Sequence, residues 1–374
     1  MSPLGTFPAS LPSRMSLPPP LPAPDAGPVT RSLRARDLAL PVGLSLVVLV
    51  IVGVVTWDPG AYAAMAGVLR PGVLTLALLG MAGHYVMGGF RLRTISHGRV
   101  PFGKGVRGQF AWDFMSCITP SAIGGAPLAS FFVARDNRLP VGQATAIMLF
   151  SMLLDQVWFA TTIPVILIAT AFLNVFPPAL GDVGAGTFTA YFMFILAWTA
   201  FFAYATVIRP ELIERAATWL LRLRWLRRFE PRVREEMVRL KEQARVLRGE
   251  SFGFYLKGYL WTAALWLSRY SIVLFIVWSV HPDLRVVEFV FRTAALWIAV
   301  LVMPTPGGSG GIEGLYLLFL APLMPRAMVG PTLLTWRLLV YYLVLVAGPI
   351  VTTRALRPAR TPRVATETIP LSPP

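Results

Sequence analysis

Apolar residues along this chain gather into runs long enough to cross a bilayer, separated by short polar and basic segments. A helix needs about 20 apolar residues to span the roughly 30 Å hydrocarbon core. Runs of that kind fall near residues 38–56, 72–90, 142–172, 187–208, 254–280 and 331–353. Two further apolar regions, 109–133 and 286–325, are interrupted. The first contains Thr119-Pro-Ser-Ala-Ile-Gly-Gly-Ala-Pro127, and the second contains Pro304-Thr-Pro-Gly-Gly-Ser-Gly-Gly-Ile-Glu-Gly314. Unpaired backbone in hydrocarbon costs several kcal/mol per group, so such breaks persist only where protein or a watery cavity surrounds them. The pattern predicts an all-α, polytopic membrane bundle of six spans plus two Gly/Pro-broken re-entrant hairpins.

Charge bias gives the parity. Residues 91–108 carry Arg91, Arg93, Arg99, Lys104 and Arg107 with no acid, and the next gap holds Arg135, Asp136 and Arg138. Both gaps read as cytoplasmic by the positive-inside rule, so 109–133 enters and leaves on one side. Residues 209–250 hold twelve basic and seven acidic side chains, net +5, and also belong inside. They do so only if 109–133 does not cross. The second broken region then opens to the outer side, and both termini lie in the cytoplasm. Two broken hairpins entering from opposite faces match transporters whose central site is built from discontinuous helices. The competing reading is a pair of ordinary kinked helices.

The segment 209–250 divides at Pro231 into two amphipathic helices, with Val233, Met237, Leu240, Ala244 and Leu247 marking the apolar stripe of the second. Residues 1–36 are a Pro-rich tail ending in Arg31, Arg34 and Arg36. Residues 37–353 form the membrane domain, and 354–374 form a basic, Pro-rich tail. Composition fits this division: 55% hydrophobic, 14% charged, with a net charge of +16. In a soluble chain that charge would suggest nucleic acid. Here it sits between apolar runs, and the partners it implies are anionic lipid headgroups. With one cysteine, Cys117, and only His84, His97 and His281, no disulfide, metal or other cofactor is expected. Arg-rich composition is read as a bacterial inner-membrane protein. The sequence has no P-loop, HExxH or GxSxG motif, so neither an enzyme nor an ATP-driven pump is expected.

Ionisable residues inside spans are functional candidates by default. Glu313 follows the second break at the start of a half-helix, where free backbone N–H groups favour an anion. Two readings stay open: a capping carboxylate, or a ligand for a headgroup or cation. Glu313→Gln is expected to fold nearly as well as the parent on either reading, because Gln still caps weakly, and to impair lipid translocation on the second. Asp155 lies mid-span, with Arg269 and Arg337 as the natural partners in other spans, either as a structural ion pair or as a proton carrier. Asp113 is placed to cap or to pair with Arg91 or Arg93. Arg135 either snorkels at an interface or meets a phosphate, and His84 reads as a packed helix residue. Gly124, Gly125, Gly307, Gly308 and Gly310 shape the two hairpin tips, by close packing or as binding loops.

Pro304-x-Pro306-Gly307-Gly308-x-Gly310-x-x-Glu313 resembles the signature of the lysylphosphatidylglycerol synthase transmembrane family, also described as flippase-like integral membrane proteins. The resemblance continues through Thr119-Pro120, Gly124-Gly125, Pro127 and Asp155 to Arg337, Tyr341, Tyr342 and Gly348, over about residues 40–355. It implies a membrane body that binds or translocates lipid; the alternatives are a small-solute or ion transporter using the same cavity, or a non-transporting membrane scaffold. Members that aminoacylate phosphatidylglycerol do so in a separate soluble domain, and only a short basic tail follows Thr353 here. Where members commonly carry an acid and an Arg after the Gly pair, this chain has Ala126 and Ala129. Where an acid and Arg precede the Asp, it has Ser151 and Met152. Loss of both signs together is what loss of a salt bridge leaves, and it puts the first hairpin's headgroup role in question.

Overall fold

The computed structural model describes residues 69–119, 125–177, 181–209, 211–220, 230–301, 303, 305 and 307–355, with isolated positions between 50 and 67. Among them there is helix and no strand. In chain order the helices are α1 (Pro71–Ile95), α2 (Phe102–Ile118), α3 (Gly125–Asn137), α4 (Val141–Ala169) and α5 (Gly181–Ala203). They continue with α6 (Glu211–Leu220), α7 (Glu230–Arg248), α8 (Phe252–Val280), α9 (Val286–Val300), α10 (Gly311–Phe319), α11 (Arg326–Arg337) and α12 (Leu343–Ala355). Among the described residues, five helical stretches are long and apolar enough to cross a membrane: 71–95, 141–169, 186–206, 252–280 and 326–352. They correspond to five of the six expected spans. The sixth, 38–56, lies outside the described residues, as do the two tails apart from Arg354 and Ala355.

Prolines and caps set the helix starts. Pro71 stands in the first turn of α1, where its missing N–H costs nothing, and Pro101, Pro140 and Pro325 precede α2, α4 and α11. Ser251 caps α8, its Oγ accepting from the Phe254 N–H at 3.3 Å. The last span starts at Arg326, five residues earlier than hydropathy suggests, and π turns at Tyr204–Ile208 and Leu338–Tyr342 end α5 and join α11 to α12.

α1 and α8 form the antiparallel spine. At one end the Arg70 N–H donates to Ser279 O at 2.9 Å; at the other, His97 Nε2 meets Glu250 Oε1 at 2.7 Å. Gly80 and Gly83 let α1 approach Ser268 and Ser271 on α8, as small residues do wherever membrane helices pack closely. The same device brings α2 against α1: a Cβ on Gly105 would lie 2.7 Å from Gly89 O.

Both broken regions turn back on themselves. Thr119, extended because Pro120 follows it, ends α2, and α3 returns alongside. The outer ends of the two legs are tied: Lys104 Nζ donates to Asp136 O at 2.6 Å, and Arg107 Nη2 bonds the Asp136 carboxylate at 3.0 Å. These bonded charges explain why the hairpin runs from residue 102 to 137, beyond the apolar stretch 109–133. In the second hairpin, Gly307, Gly308 and Gly310 all have positive φ (59°, 68° and 83°), which no helix can pass through. α10 then runs back along α9, and Arg292 Nη1 on α9 donates to Phe319 O at the end of α10 at 3.1 Å. The first hairpin opens toward the His97 end of the spine and the second toward the Ser279 end. Their tips meet where the Gly307 N–H donates to Ser116 O at 3.2 Å.

α7 docks on the start of α4. Glu236 Oε2 accepts from the Gly142 N–H at 2.5 Å, Gln143 bonds Gln243 at 3.0 Å, and Leu240, Ala244 and Leu247 are buried as their spacing requires. α6 is joined to it by the Lys241–Glu214 ion pair.

Candidate functional site: a polar cavity where the hairpin tips meet

A cavity of about 110 Å³ lies at the meeting point, walled by α1, α2, α4, α8 and both hairpins. Helical spacing delivers its polar groups. His84 and Arg91 stand seven apart on α1, and Gln109 and Asp113 four apart on α2, so each pair shares a face. α4 contributes Asp155, α8 contributes Trp266 and Arg269, and Arg337 reaches in from the last span just before its π turn. Such turns recur at functional sites, because the extra residue re-aims the side chains that follow.

All of these groups but Arg337 form one bonded chain. Arg91 Nη1 pairs with Asp155 Oδ1 at 2.6 Å, and Trp266 Nε1 donates to the same oxygen at 2.9 Å. Arg91 Nη2 donates to Gln109 Oε1 at 3.0 Å, and Gln109 Nε2 donates to Asp113 Oδ1 at 3.3 Å. Asp113 also takes His84 Nε2 at 2.8 Å and Arg269 Nη1 at 3.4 Å. The Arg269 guanidinium rests over Trp297, 4.4 Å from the ring centre, a cation–π contact.

Arg337 belongs to a separate pair. Its Nε lies 3.0 Å from Glu313 Oε1, with both side chains at 1% exposure or less, and its Nη2 donates to Ser309 Oγ at 3.3 Å. Glu313 Oε2 accepts from the Gly310 N–H at 2.8 Å, closing the first turn of α10. Glu313 is therefore a cap and a counter-ion, standing behind Arg337 and outside the cavity lining.

The expected partners of Asp155 are corrected. Neither Arg269 nor Arg337 pairs with it; Arg91 does, because α1 brings its guanidinium two helical turns below His84 against α4. Arg269 goes to Asp113, which was expected to cap or to pair with Arg91 or Arg93. Arg91 itself, assigned to a loop by its charge, lies buried within α1. Arg135 is exposed at the end of α3 and does not line the cavity. Gly307 lines the cavity, and a Cβ there would stand 2.5 Å from the Tyr341 ring; Gly308 and Gly310 serve the turn. Gly125 packs on α2, where a Cβ would lie 2.5 Å from Ser116 N. Gly124 lies outside the described residues. Ala126 and Ala129 are wholly buried in apolar packing, and Ser151 Oγ bonds its own helix at Ile147 O. Sequence reasoning missed His84, Arg91, Gln109 and Trp266 as site residues. The signal available was the seven-residue spacing of His84 and Arg91 inside an apolar run.

Residues 38–348 match the family described as the lysylphosphatidylglycerol synthase TM region. The chain belongs to that family. It is also similar to a UPF0104 membrane protein of Archaeoglobus fulgidus, 25% identical over 289 residues that cover 74% of this chain and 85% of the relative. The family match spans every element that walls the cavity. Glu313, Asp155 and Arg337, the charged positions through which the sequence resembles the family, thus lie in or directly behind one polar site.

Proposed function

We propose that this family member binds a lipid and moves it between leaflets, its headgroup passing through the cavity at the hairpin tips while its tails remain in hydrocarbon. The observation that supports this most is the cavity's wall, in which Arg91, Arg269 and Arg337 converge with Asp113 and Asp155 at the centre of a helical membrane bundle. Charges are retained at that depth at a cost, and a headgroup is the polar cargo a membrane presents. Passage requires the tips to part at the Gly307–Ser116 contact. The chain itself does no covalent chemistry on this reading. The cavity's small volume favours a second reading, a small solute or ion carried by the same groups.

Native mass spectrometry of the purified protein tests both. The expected result is a retained phospholipid that is depleted in Arg269→Gln. Absence of retained lipid in the parent, or equal retention in the variant, would overturn the lipid reading.

The same proposal puts the His97 end of the bundle, with Arg93, Arg99, Lys104 and Arg107, in the cytoplasm of a bacterial inner membrane. Gly98, Arg99 and Arg138 are exposed on the two sides of the first hairpin. Cysteines placed singly at Arg99 and Arg138, in a Cys117→Ala background, are expected to react with an impermeant thiol reagent only from the cytoplasmic side. Labelling of position 138 from the opposite side would exclude a re-entrant first hairpin.

A further inference from the structure

Three carboxylates and three arginines meet around the cavity, and one carboxylate is held differently. Glu313 is buried against Arg337, and Asp155 has a 2.6 Å bond to Arg91 backed by Trp266. Asp113 is instead shared between His84 Nε2 at 2.8 Å and a more distant Arg269 Nη1 at 3.4 Å. Those two nitrogens lie only 3.3 Å apart.

Hydrogen-bond geometry assigns the proton. Nε2 faces a carboxylate oxygen, so it carries the hydrogen and donates to Asp113. His84 Nδ1 is buried without a partner, in a residue 3% exposed that lines the cavity. A further proton, taken from solvent, goes to Nδ1. The imidazolium then competes with Arg269 for one carboxylate at a separation where like charges repel. Arg269 has another place to rest. Its guanidinium already lies over Trp297 and within 5.7 Å of the Trp266 ring centre, and its Nε is unbonded. Ser116 Oγ, Arg91 Nε and Trp297 Nε1 around the same cavity are also buried without partners.

Charge balance points the same way. The charged groups around His84 are Arg91 on its own helix, Asp113 on α2, Asp155 on α4, Arg269 on α8, and Arg337 with Glu313 behind it. Cys117 on α2 also lines the space, and Tyr85 packs edge-on against the His84 ring. Three positive and three negative charges cancel while His84 is neutral. An entering monoanion would leave the site with a net buried charge, which is costly. One proton on His84 restores neutrality.

We infer that this cavity binds an oxyanion, the phosphate of a lipid headgroup or a free phosphate, and takes up one proton on His84 as it does so. The inference builds on the headgroup reading above and adds the ligand's charge and the proton that accompanies it. Because binding takes up a proton, affinity is highest at low pH. It falls as pH rises, by up to about tenfold per pH unit where binding takes up one proton.

Calorimetry on the full chain in detergent, in buffers of differing ionisation enthalpy from about pH 5.5 to about pH 8, counts the protons. The probe is dioctanoylphosphatidylglycerol, with dioctanoylglycerol, glycerol phosphate and inorganic phosphate as separate arms. The expected result is proton uptake approaching about one per dioctanoylphosphatidylglycerol, a phosphodiester that stays a monoanion across this range, and none with dioctanoylglycerol; glycerol phosphate and inorganic phosphate, whose own second ionisation falls within the range, are scored by the difference in proton count between the parent and His84→Gln. His84→Gln, which still donates to Asp113 but cannot take the second proton, should bind with an affinity that no longer varies with pH. A structural role alone would instead shift affinity equally at every pH. Binding of the lipid without proton uptake, or uptake that survives in His84→Gln, would overturn the inference and leave the lipid reading standing. Proton-linked binding of glycerol phosphate or inorganic phosphate without the lipid would support the oxyanion site and defeat the lipid reading. No binding by any phosphate-bearing probe would overturn the inference. Should His84→Gln fail to fold, the parent's proton count decides alone.

Discussion

Glu313→Gln is expected to destabilise the protein by about 3–5 kcal/mol, the cost of leaving one member of a buried ion pair without its partner. Sequence alone suggests a milder outcome, because Gln can still accept from the Gly310 N–H and keep the cap of α10. The structure changes the reckoning by placing Arg337 Nε 3.0 Å from Glu313 Oε1 where neither side chain reaches solvent. Once the carboxylate charge is removed, that guanidinium keeps, among its contacts, Ser309 Oγ at 3.3 Å and the face of Tyr341, 4.0 Å from the ring centre. Neither neutralises it. Glu313→Leu should cost more, since the cap goes with the charge. The double substitution Glu313→Gln with Arg337→Gln should recover most of the loss, because two amides can bond each other without a buried net charge. Equilibrium unfolding in detergent of the parent, Glu313→Gln, Arg337→Gln alone and the double variant gives the coupling directly. If each single Gln variant lies within about 0.5 kcal/mol of the parent, as an ordinary surface substitution would, the pair does not hold the second hairpin in place.

The sequence carries the fold further than it carries the site. Hydropathy marks five of the described spans because a run of about 20 apolar residues has few alternatives to crossing a bilayer. Gly307, Gly308 and Gly310 mark the second break because only glycine takes up positive φ without strain. Polar partners inside the bundle are harder to read, since an ion pair between spans depends on helix rotation and on which spans are neighbours. Asp155 illustrates this. Its candidates were arginines in other apolar runs, whereas its partner, Arg91, stands where an apolar run gives way to basic residues, the position of a positive-inside marker. The same ambiguity hid the ends of the first hairpin. Lys104, Arg107 and Asp136 look like loop charges until their mutual bonds show that the two legs end side by side.

Arg91→Gln and Arg269→Gln should separate structure from function within one cavity. Arg91 is 1% exposed, and its removal leaves Asp155 with a single donor, Trp266 Nε1 at 2.9 Å. The expected cost is about 3–5 kcal/mol, seen as poor yield and early unfolding. Arg269 is more loosely committed. Without it Asp113 keeps His84 at 2.8 Å and Gln109 at 3.3 Å, so no carboxylate is stranded. What the fold loses is mainly the stacking on Trp297, worth about 0.5–2 kcal/mol. On the proposed function, Arg269 is also the cation nearest to release for a headgroup. Losing a charge-assisted hydrogen bond to phosphate, about 1.5–3 kcal/mol, weakens binding about ten- to a hundredfold. In liposomes reconstituted to equal protein content, Arg269→Gln should therefore slow lipid translocation by about that factor at subsaturating lipid while remaining folded. Translocation at the parent rate would remove Arg269 from the pathway. Equal destabilisation of both variants would mean that the 3.4 Å contact of Arg269 with Asp113 holds the bundle together as firmly as the 2.6 Å bond of Arg91 with Asp155, and the headgroup would then have to be held by Arg337 and the donors around Ser116.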